Sequence, residues 1–268
     1  MSRLQVTILG CGSSGGVPRA NGDWGDCNPV QPRNRRSRCS LAVQRYGEGG
    51  LTTILVDTSP DLRNQVLLSN IRHIDGVLMT HDHADQTHGV DDLRTFAAMG
   101  RRRVPVWMDA ATQRTLGRRF GYVFEGEHGY PPICDAHPAT PGQTLQIHGD
   151  GGTIEVSVFG QQHGPIRSLG YRFGPVVYSS DVSGLDDAAF EAISGADIWI
   201  LDALRWTRHP THANVDQALA WIARAGIPRA VLTNLHIDLD YDSLSDLTPP
   251  GVEVAFDGWT WSEIKTVG

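Results

Sequence analysis

The chain predicts an α/β (α+β) fold in one domain spanning residues 1–268, on three observations. Apolar runs of strand length recur along it, the first at residues 4–9 and the last at 229–233. Between several of them lie stretches with helical spacing, such as 90–98, 110–120 and 215–225. Strand after strand then ends in a polar residue able to bind a metal or carry a proton: Asp57, His81, His163, Asp181 and His236. Loops at one edge of a sheet converge, so residues far apart in sequence can build one site.

Taken in order, residues 4–9 form a strand that runs into Gly10, Cys11, Gly12, Ser13, Ser14 and Gly15. The spacing matches the dinucleotide-binding turn, but that turn requires a helix to open at the glycines, and Gly16-Val17-Pro18 cannot continue as one. A loop passing close to another backbone or a ligand is expected instead. The arginine-rich run at 33–38 precedes a strand at 40–43. It reads equally as a solvated face or as a source of one or two phosphate contacts. A turn at Gly47-Glu48-Gly49-Gly50 leads to a strand at 52–57. A helix is expected to begin over 58–63, with Thr58 or Ser59 as cap, Pro60 in its first turn and Asp61 favouring the dipole.

The densest stretch follows. Residues 81–88 hold three histidines, His81, His83 and His88, together with Asp82 and Asp85, directly behind the apolar run Gly76-Val77-Leu78-Met79. Imidazole and carboxylate are the ligands of zinc, manganese and iron, and two histidines one residue apart can reach one ion from the end of a strand. This is read as a metal-binding loop. A helix at 90–98, a strand at 104–107 and a helix at 110–120 come next. Residues 121–141 have no clear period and are expected to be an insertion able to cover the site. The alternating run 153–159 is a strand four residues short of His163. A hairpin of 169–173 and 176–180 about Gly174-Pro175 leads into Asp181. Strand 197–202, helix 215–225 and strand 229–233 then deliver Asn234, Leu235 and His236. A lone His163 or His236 would ordinarily be an unremarkable histidine; five such loops together argue for one site.

Composition bounds the partners. With 268 residues, 40% of them hydrophobic, the chain can bury a sizeable core. No apolar run is long enough for a bilayer and no leader is evident at the N-terminus, so a cytoplasmic protein with no membrane partner is expected. The cysteines, Cys11, Cys27, Cys39 and Cys134, lack paired spacing and are expected to be reduced. A net charge of −7 disfavours general nucleic-acid binding, although the clusters at 33–38 and 101–103 could each hold a phosphate. Association into a homodimer is left open.

These residues resemble the metallo-β-lactamase-fold hydrolases, whose signature is H-x-H-x-D-H followed by a distant His, Asp and final His. More narrowly, residues 9–18, 33–36, 57–63 and 89–94 are similar to the branch containing phosphoribosyl 1,2-cyclic phosphate phosphodiesterase; ribonuclease Z is a more distant relative. The resemblance implies a four-layer αββα sandwich with two divalent ions, zinc or manganese, at one sheet edge. His81, His83 and His163 would hold the first ion, Asp85 and a terminal histidine the second, and Asp181 both. Asp57 would orient the metal loop, and His212, in Pro210-Thr211-His212, matches a histidine that contacts the scissile phosphate in related phosphodiesterases; it is expected to donate a proton to the leaving oxygen or to stabilise the transition state.

This chain departs from that pattern at two points: Gln86 stands where the signature has a histidine, and Asn234 where relatives have Thr-His. The amide oxygens of Gln86 and Asn234 suit harder ions such as manganese, nearby His236 could swing in as the replacement and His88 less readily, and the second ion is expected to be weaker or manganese-like. Of the cysteine cluster that holds a structural zinc in relatives only Cys27 remains, with Ile237 at the late histidine, so no structural zinc is expected. The leading functional reading is a metal-dependent phosphodiesterase acting on a small cyclic phosphate or nucleotide-like substrate, with Asp85 and His212 as catalytic groups. The alternatives are a lactone or thioester hydrolase of the same fold, or a nucleotide- or metal-binding protein without turnover.

Overall fold

The computed structural model describes residues 2–265. Six strands come first: β1 (Ser2–Gly10), β2 (Ser40–Gly47), β3 (Gly50–Val56), β4 (Gly76–Leu78), β5 (Val104–Met108) and β6 (Cys134–Pro138). Seven more follow: β7 (Thr144–Ile147), β8 (Ile154–His163), β9 (Ile166–Phe173), β10 (Val176–Ser179), β11 (Ile198–Asp202), β12 (Arg229–Thr233) and β13 (Val252–Val254). The last strand, β14 (Thr260–Lys265), returns to pair antiparallel with β1. Two seven-stranded sheets result, in the orders β14-β1-β2-β3-β4-β5-β6 and β13-β12-β11-β10-β9-β8-β7.

Side-chain alternation explains the layering. On β1, β2 and β3 the residues Val6, Ile8, Leu41, Val43, Ile54 and Val56 face a shared core with Ile154, Val156, Val158 and Tyr171 of the other sheet. Their neighbours Leu9, Ala42 and Leu55 face outward, into a cluster with residues of helices α1 (Leu62–Leu68), α3 (Leu93–Gly100) and α4 (Ala110–Arg119). A single-turn helix α2 (Ala84–Thr87) lies between α1 and α3, and α5 (Gly121–Glu125) follows α4. On β11, Ile198 and Ile200 point inward whereas Trp199 and Leu201 point outward. There they meet residues of α6 (Asp187–Ile193), α7 (Val215–Ala225) and α8 (Tyr241–Leu247). The architecture is therefore helix, sheet, sheet, helix, the αββα sandwich that the resemblance implies.

Two expectations are refined and a third is met. The helix expected from 58–63 opens at Leu62, because Thr58 and Ser59 are fully buried and tied down: Leu62 N–H donates to the Ser59 carbonyl and Gly89 N–H to that of Thr58. A Cβ on Gly89 would collide with the Ser59 carbonyl, so glycine is required at that crossing. The stretch 121–141 is not one irregular insertion. It contains α5 and the edge strand β6, whose half-exposed residues and terminal Pro138 suit a sheet edge but hide its periodicity. Residues 11–16 form a loop after β1, and Gly10 at the end of the strand crosses the Arg38 carbonyl with no room for a side chain, as expected.

Within the arginine run, Arg36 is neither solvated nor free for phosphate. It is 2% exposed, its Nη2 donates to Asn34 Oδ1 at 3.1 Å and its Nη1 to the His236 carbonyl at 3.3 Å. It thereby ties the long β1–β2 connection to the segment after β12. All four cysteines are free thiols in buried positions. Among the described residues no helix is long and apolar enough to cross a membrane.

Candidate metal centre

The site is assembled where neighbouring strands stop. β3, β10 and β12 each release a non-glycine residue in or just after the end turn with left-handed backbone: Asp57 at φ 62°, Asp181 at φ 55° and Asn234 at φ 62°. Such conformations are sparsely populated for side-chain-bearing residues and are held only where the surroundings over-determine them. β4 leads through Met79 and Thr80 to His81, while His83 caps α2 with extended backbone at φ −67°, ψ 154°. β8 ends in His163 and β11 in Asp202.

Buried hydrogen bonds fix the histidine orientations. Asp57 accepts the Thr80 N–H at 2.7 Å and the Thr80 hydroxyl at 2.8 Å, and Thr80 Oγ1 lies 3.0 Å from His81 Nδ1. With its one proton committed to Asp57, the hydroxyl accepts from Nδ1–H, which leaves the His81 Nε2 lone pair facing the site. That Nε2 is buried and has no hydrogen-bond partner, and burial holds the His81 imidazole down to about 3, so the ring is neutral. His163 is set in the same way: its Nδ1 is 2.7 Å from the Thr211 carbonyl, so Nδ1 donates and Nε2 faces inward.

His81, His83 and His163 present ring nitrogens all within 4.8 Å of one another, and His163 Nε2 is 3.2 Å from His83 Nδ1. Asp181 Oδ1 stands nearly equidistant from three imidazoles, 4.0 Å from His81 Nε2, 3.9 Å from His163 Nε2 and 3.9 Å from His212 Nδ1. Ligands about 2.0–2.1 Å from a tetrahedral zinc are separated from each other by about 3.4 Å. The spacing and the orphaned lone pair therefore fit one divalent ion.

The second position differs. Gln86 is fully buried and its Nε2 donates to Asp181 Oδ2 at 3.1 Å and toward Asp85 Oδ2 at 3.4 Å. An amide NH2 thus spans the two carboxylates between which a second cation would lie. Its Oε1 is buried without a partner. Burial, reinforced by the charge of Asp181, raises the Asp85 carboxyl to about 6.

His212 belongs to a separate dyad with Asp202. Its Nδ1 lies 2.8 Å from Asp202 Oδ2, which also accepts the Val182 N–H at 3.0 Å. Burial alone would discourage protonation of His212, but the Asp202 carboxylate overrides it and raises the imidazole to about 9. Burial in turn lifts Asp202 to about 6. In the metal-free protein this predicts a pH dependence of stability. The folded value of His212 exceeds the unfolded one, so its contribution is fully present below about 6.5 and is lost as pH rises through about 9. Asp85 and Asp202 ionise near 6, and the buried thiols of Cys11 and Cys39, raised by burial, add to the decline toward 9, so over the window from 6.5 to 9 the histidine's share is read as the difference between the wild type and His212→Gln. Thermal unfolding of the metal-free protein should show a falling melting temperature across that window, and the decline should shrink in His212→Gln.

The structure thus brings His81, His83, His163, Asp181 and His212 together, with Asp85 adjoining through Gln86. His236 is not among the clustered ligands. The His236 N–H is bound to the Leu204 carbonyl, and its ring contacts Arg19 and Asp238, away from the cluster. Asp202 was not singled out from sequence, although it ends an apolar strand just as Asp57 does.

The model of the "Beta-lactamase superfamily domain" matches residues 52–237. A crystal structure described as a new diphosphatase from the PhnP family is 32% identical, with a TM-score of 0.87 and 98% of each chain covered. The octanoyltransferase of Porphyromonas gingivalis (strain ATCC BAA-308 / W83) is 30% identical over 95% of this chain but only 51% of its own length, so the chain spans about half of that protein. Zinc-bound PqqB from Methylobacterium extorquens is 18% identical with a TM-score of 0.74, covering 96% of this chain and 99% of that one, a likeness of fold alone.

Proposed function

We propose that this chain, which belongs to the beta-lactamase superfamily and is a metallo-β-lactamase-fold hydrolase resembling the PhnP branch, is a metal-dependent phosphodiesterase acting on a small phosphorylated substrate. The observation that carries this reading is the equidistance of Asp181 Oδ1, 3.9 to 4.0 Å, from the two inward-facing imidazoles of His81 and His163 and from the protonated His212.

His81, His83, His163 and Asp181 would hold the tight ion. Asp85 and Asp181 flank a weaker second position, weakened because the Gln86 amide already satisfies both carboxylates. A divalent ion bound here supplies a nucleophile from water near neutral pH and neutralises charge on the phosphoryl oxygens. His212 keeps a proton on the face of the cluster and, oriented by Asp202, gives it to the leaving oxygen. Thr80, Asp57 and the Thr211 carbonyl hold the ligand rings in one tautomer, so little reorganisation accompanies binding.

Metal analysis of purified protein, paired with hydrolysis of bis(p-nitrophenyl) phosphate with and without added manganese, tests the reading. One tightly held ion per chain is expected, with activity that rises as manganese fills the second position. Absence of turnover with every divalent metal would sink it, and equal tight occupancy of two zinc ions would refute the weak second position.

A further inference from the structure

Two of the three clustered histidines are held from behind, and the third is not. His81 is set by Thr80 and Asp57, and His163 by the Thr211 carbonyl. Among the described residues no such bond reaches the ring of His83, which is exposed and faces His163 Nε2 through Nδ1 at 3.2 Å. Its direction therefore depends on its backbone. That backbone caps α2, a single turn of four residues, and so short a helix has little stability of its own. The chain is anchored before His83 by Thr80 on Asp57 and after it by the Gly89 crossing. Residues 82–88 between these anchors have to be held from outside.

The corner where α4 meets α5 supplies that hold. Arg119, in the last turn of α4, donates through Nη1 to the Asp82 carbonyl at 2.7 Å. The His83 carbonyl accepts the Thr87 hydroxyl at 2.8 Å. The peptide groups before and after His83 are thus both tied, which restricts its two soft dihedrals and the direction in which its side chain leaves. The next residues of the corner reach the same stretch. The Phe120 ring meets that of His88 edge to face, with centroids 5.4 Å apart. The Tyr122 hydroxyl donates to Asp91 Oδ1 at 3.0 Å, an oxygen that Arg94 also holds at 2.7 Å. Behind these contacts the corner is rooted in the core, where Leu116 and Val123 are fully buried and the Ile133 N–H donates to the Val123 carbonyl at 2.8 Å.

We propose that Arg119 is a positioning residue of the metal centre: by holding the Asp82 carbonyl it sets His83, and with it the affinity for the first ion. The inference rests on the metal-dependent reading and adds to it the element that tunes binding. A guanidinium is charged at every working pH, so its bond to the carbonyl is stronger than one between neutral groups. Residues that orient a ligand from behind are worth about ten- to a hundredfold in metal affinity, and the exposed setting of Arg119 puts it at the lower end.

The test measures zinc affinity of the metal-free protein by competition with a chromogenic chelator, together with melting temperatures with and without zinc. Arg119→Ala should weaken zinc binding about tenfold. Arg119→Lys, which keeps a charged donor, should restore part of the affinity, and Arg118→Ala, at the exposed neighbour, should leave it as in the wild type. Without metal, Arg119→Ala should melt within about two degrees of the wild type, whereas its rise on adding zinc should be smaller. Wild-type zinc affinity in Arg119→Ala overturns the proposal and leaves the metal-dependent reading standing; so does a loss that Arg118→Ala shares. A lowered metal-free melting temperature with unchanged affinity makes Arg119 a structural tie and overturns it equally. A wild type that takes up no divalent ion overturns the proposal and the metal-dependent reading together.

Discussion

Asp181→Ala should release the tightly held ion and lower phosphodiester hydrolysis by at least about a thousandfold, the equivalent of several kcal/mol of charge stabilisation at the transition state. The carboxylate is 2% exposed and lies within 4.0 Å of each of His81, His163 and His212. Ser180 and Gln86 both donate to its Oδ2, at 2.6 and 3.1 Å, so Oδ1 is left to face the imidazoles. Asp181→Asn separates charge from shape: it keeps the volume, loses the anion and should also fail to hold the ion. Metal content by mass spectrometry and the bis(p-nitrophenyl) phosphate rate are read together. A variant that retains one tight ion and wild-type turnover would mean that Asp181 is not part of the centre.

His212→Ala should lower turnover by about a hundred- to ten-thousandfold, the usual range for a positioned general acid, while the tight ion remains. Asp202→Asn should reproduce part of that loss, because it removes the charge that keeps His212 protonated and leaves Nδ1 facing a weaker acceptor. In both variants kcat should fall more than KM changes, and the decline of kcat on the alkaline side should disappear or move to lower pH. Loss of the ion from His212→Ala would instead make the histidine a ligand. One of its ring nitrogens does fall within 4.8 Å of donor atoms of His163 and Asp181, so metal content is the deciding measurement.

The same strand-end logic explains what could be read without coordinates. His81, His83, His163 and Asp181 each follow a clear apolar strand, and in the fold those strands stop at one edge. Asp202 satisfied the same criterion, but its role exists only through a contact with His212 ten residues later. His236 also satisfied it and is not among the clustered ligands, because a side chain three residues past a strand end is directed by what its backbone binds, here the Leu204 carbonyl. The arginine run divides in the same way: Arg36 is buried, Arg38 pairs with Asp61 at 2.9 Å and Arg35 packs on Trp24. Composition cannot distinguish these fates.

By itself, then, the sequence determined the strands, the helix-bearing segments and the kind of ligands, because hydrophobic periodicity and residue chemistry are local properties. It also marked Gln86 and Asn234 as departures from the metal signature. Only the tertiary structure decided that the Gln86 amide bridges Asp85 and Asp181, that Asp202 charges His212, and that Arg19 meets the His236 ring. Each of these is a contact between side chains on different elements, fixed by the packing of two sheets and their loops, and sequence spacing carries no measure of such distances.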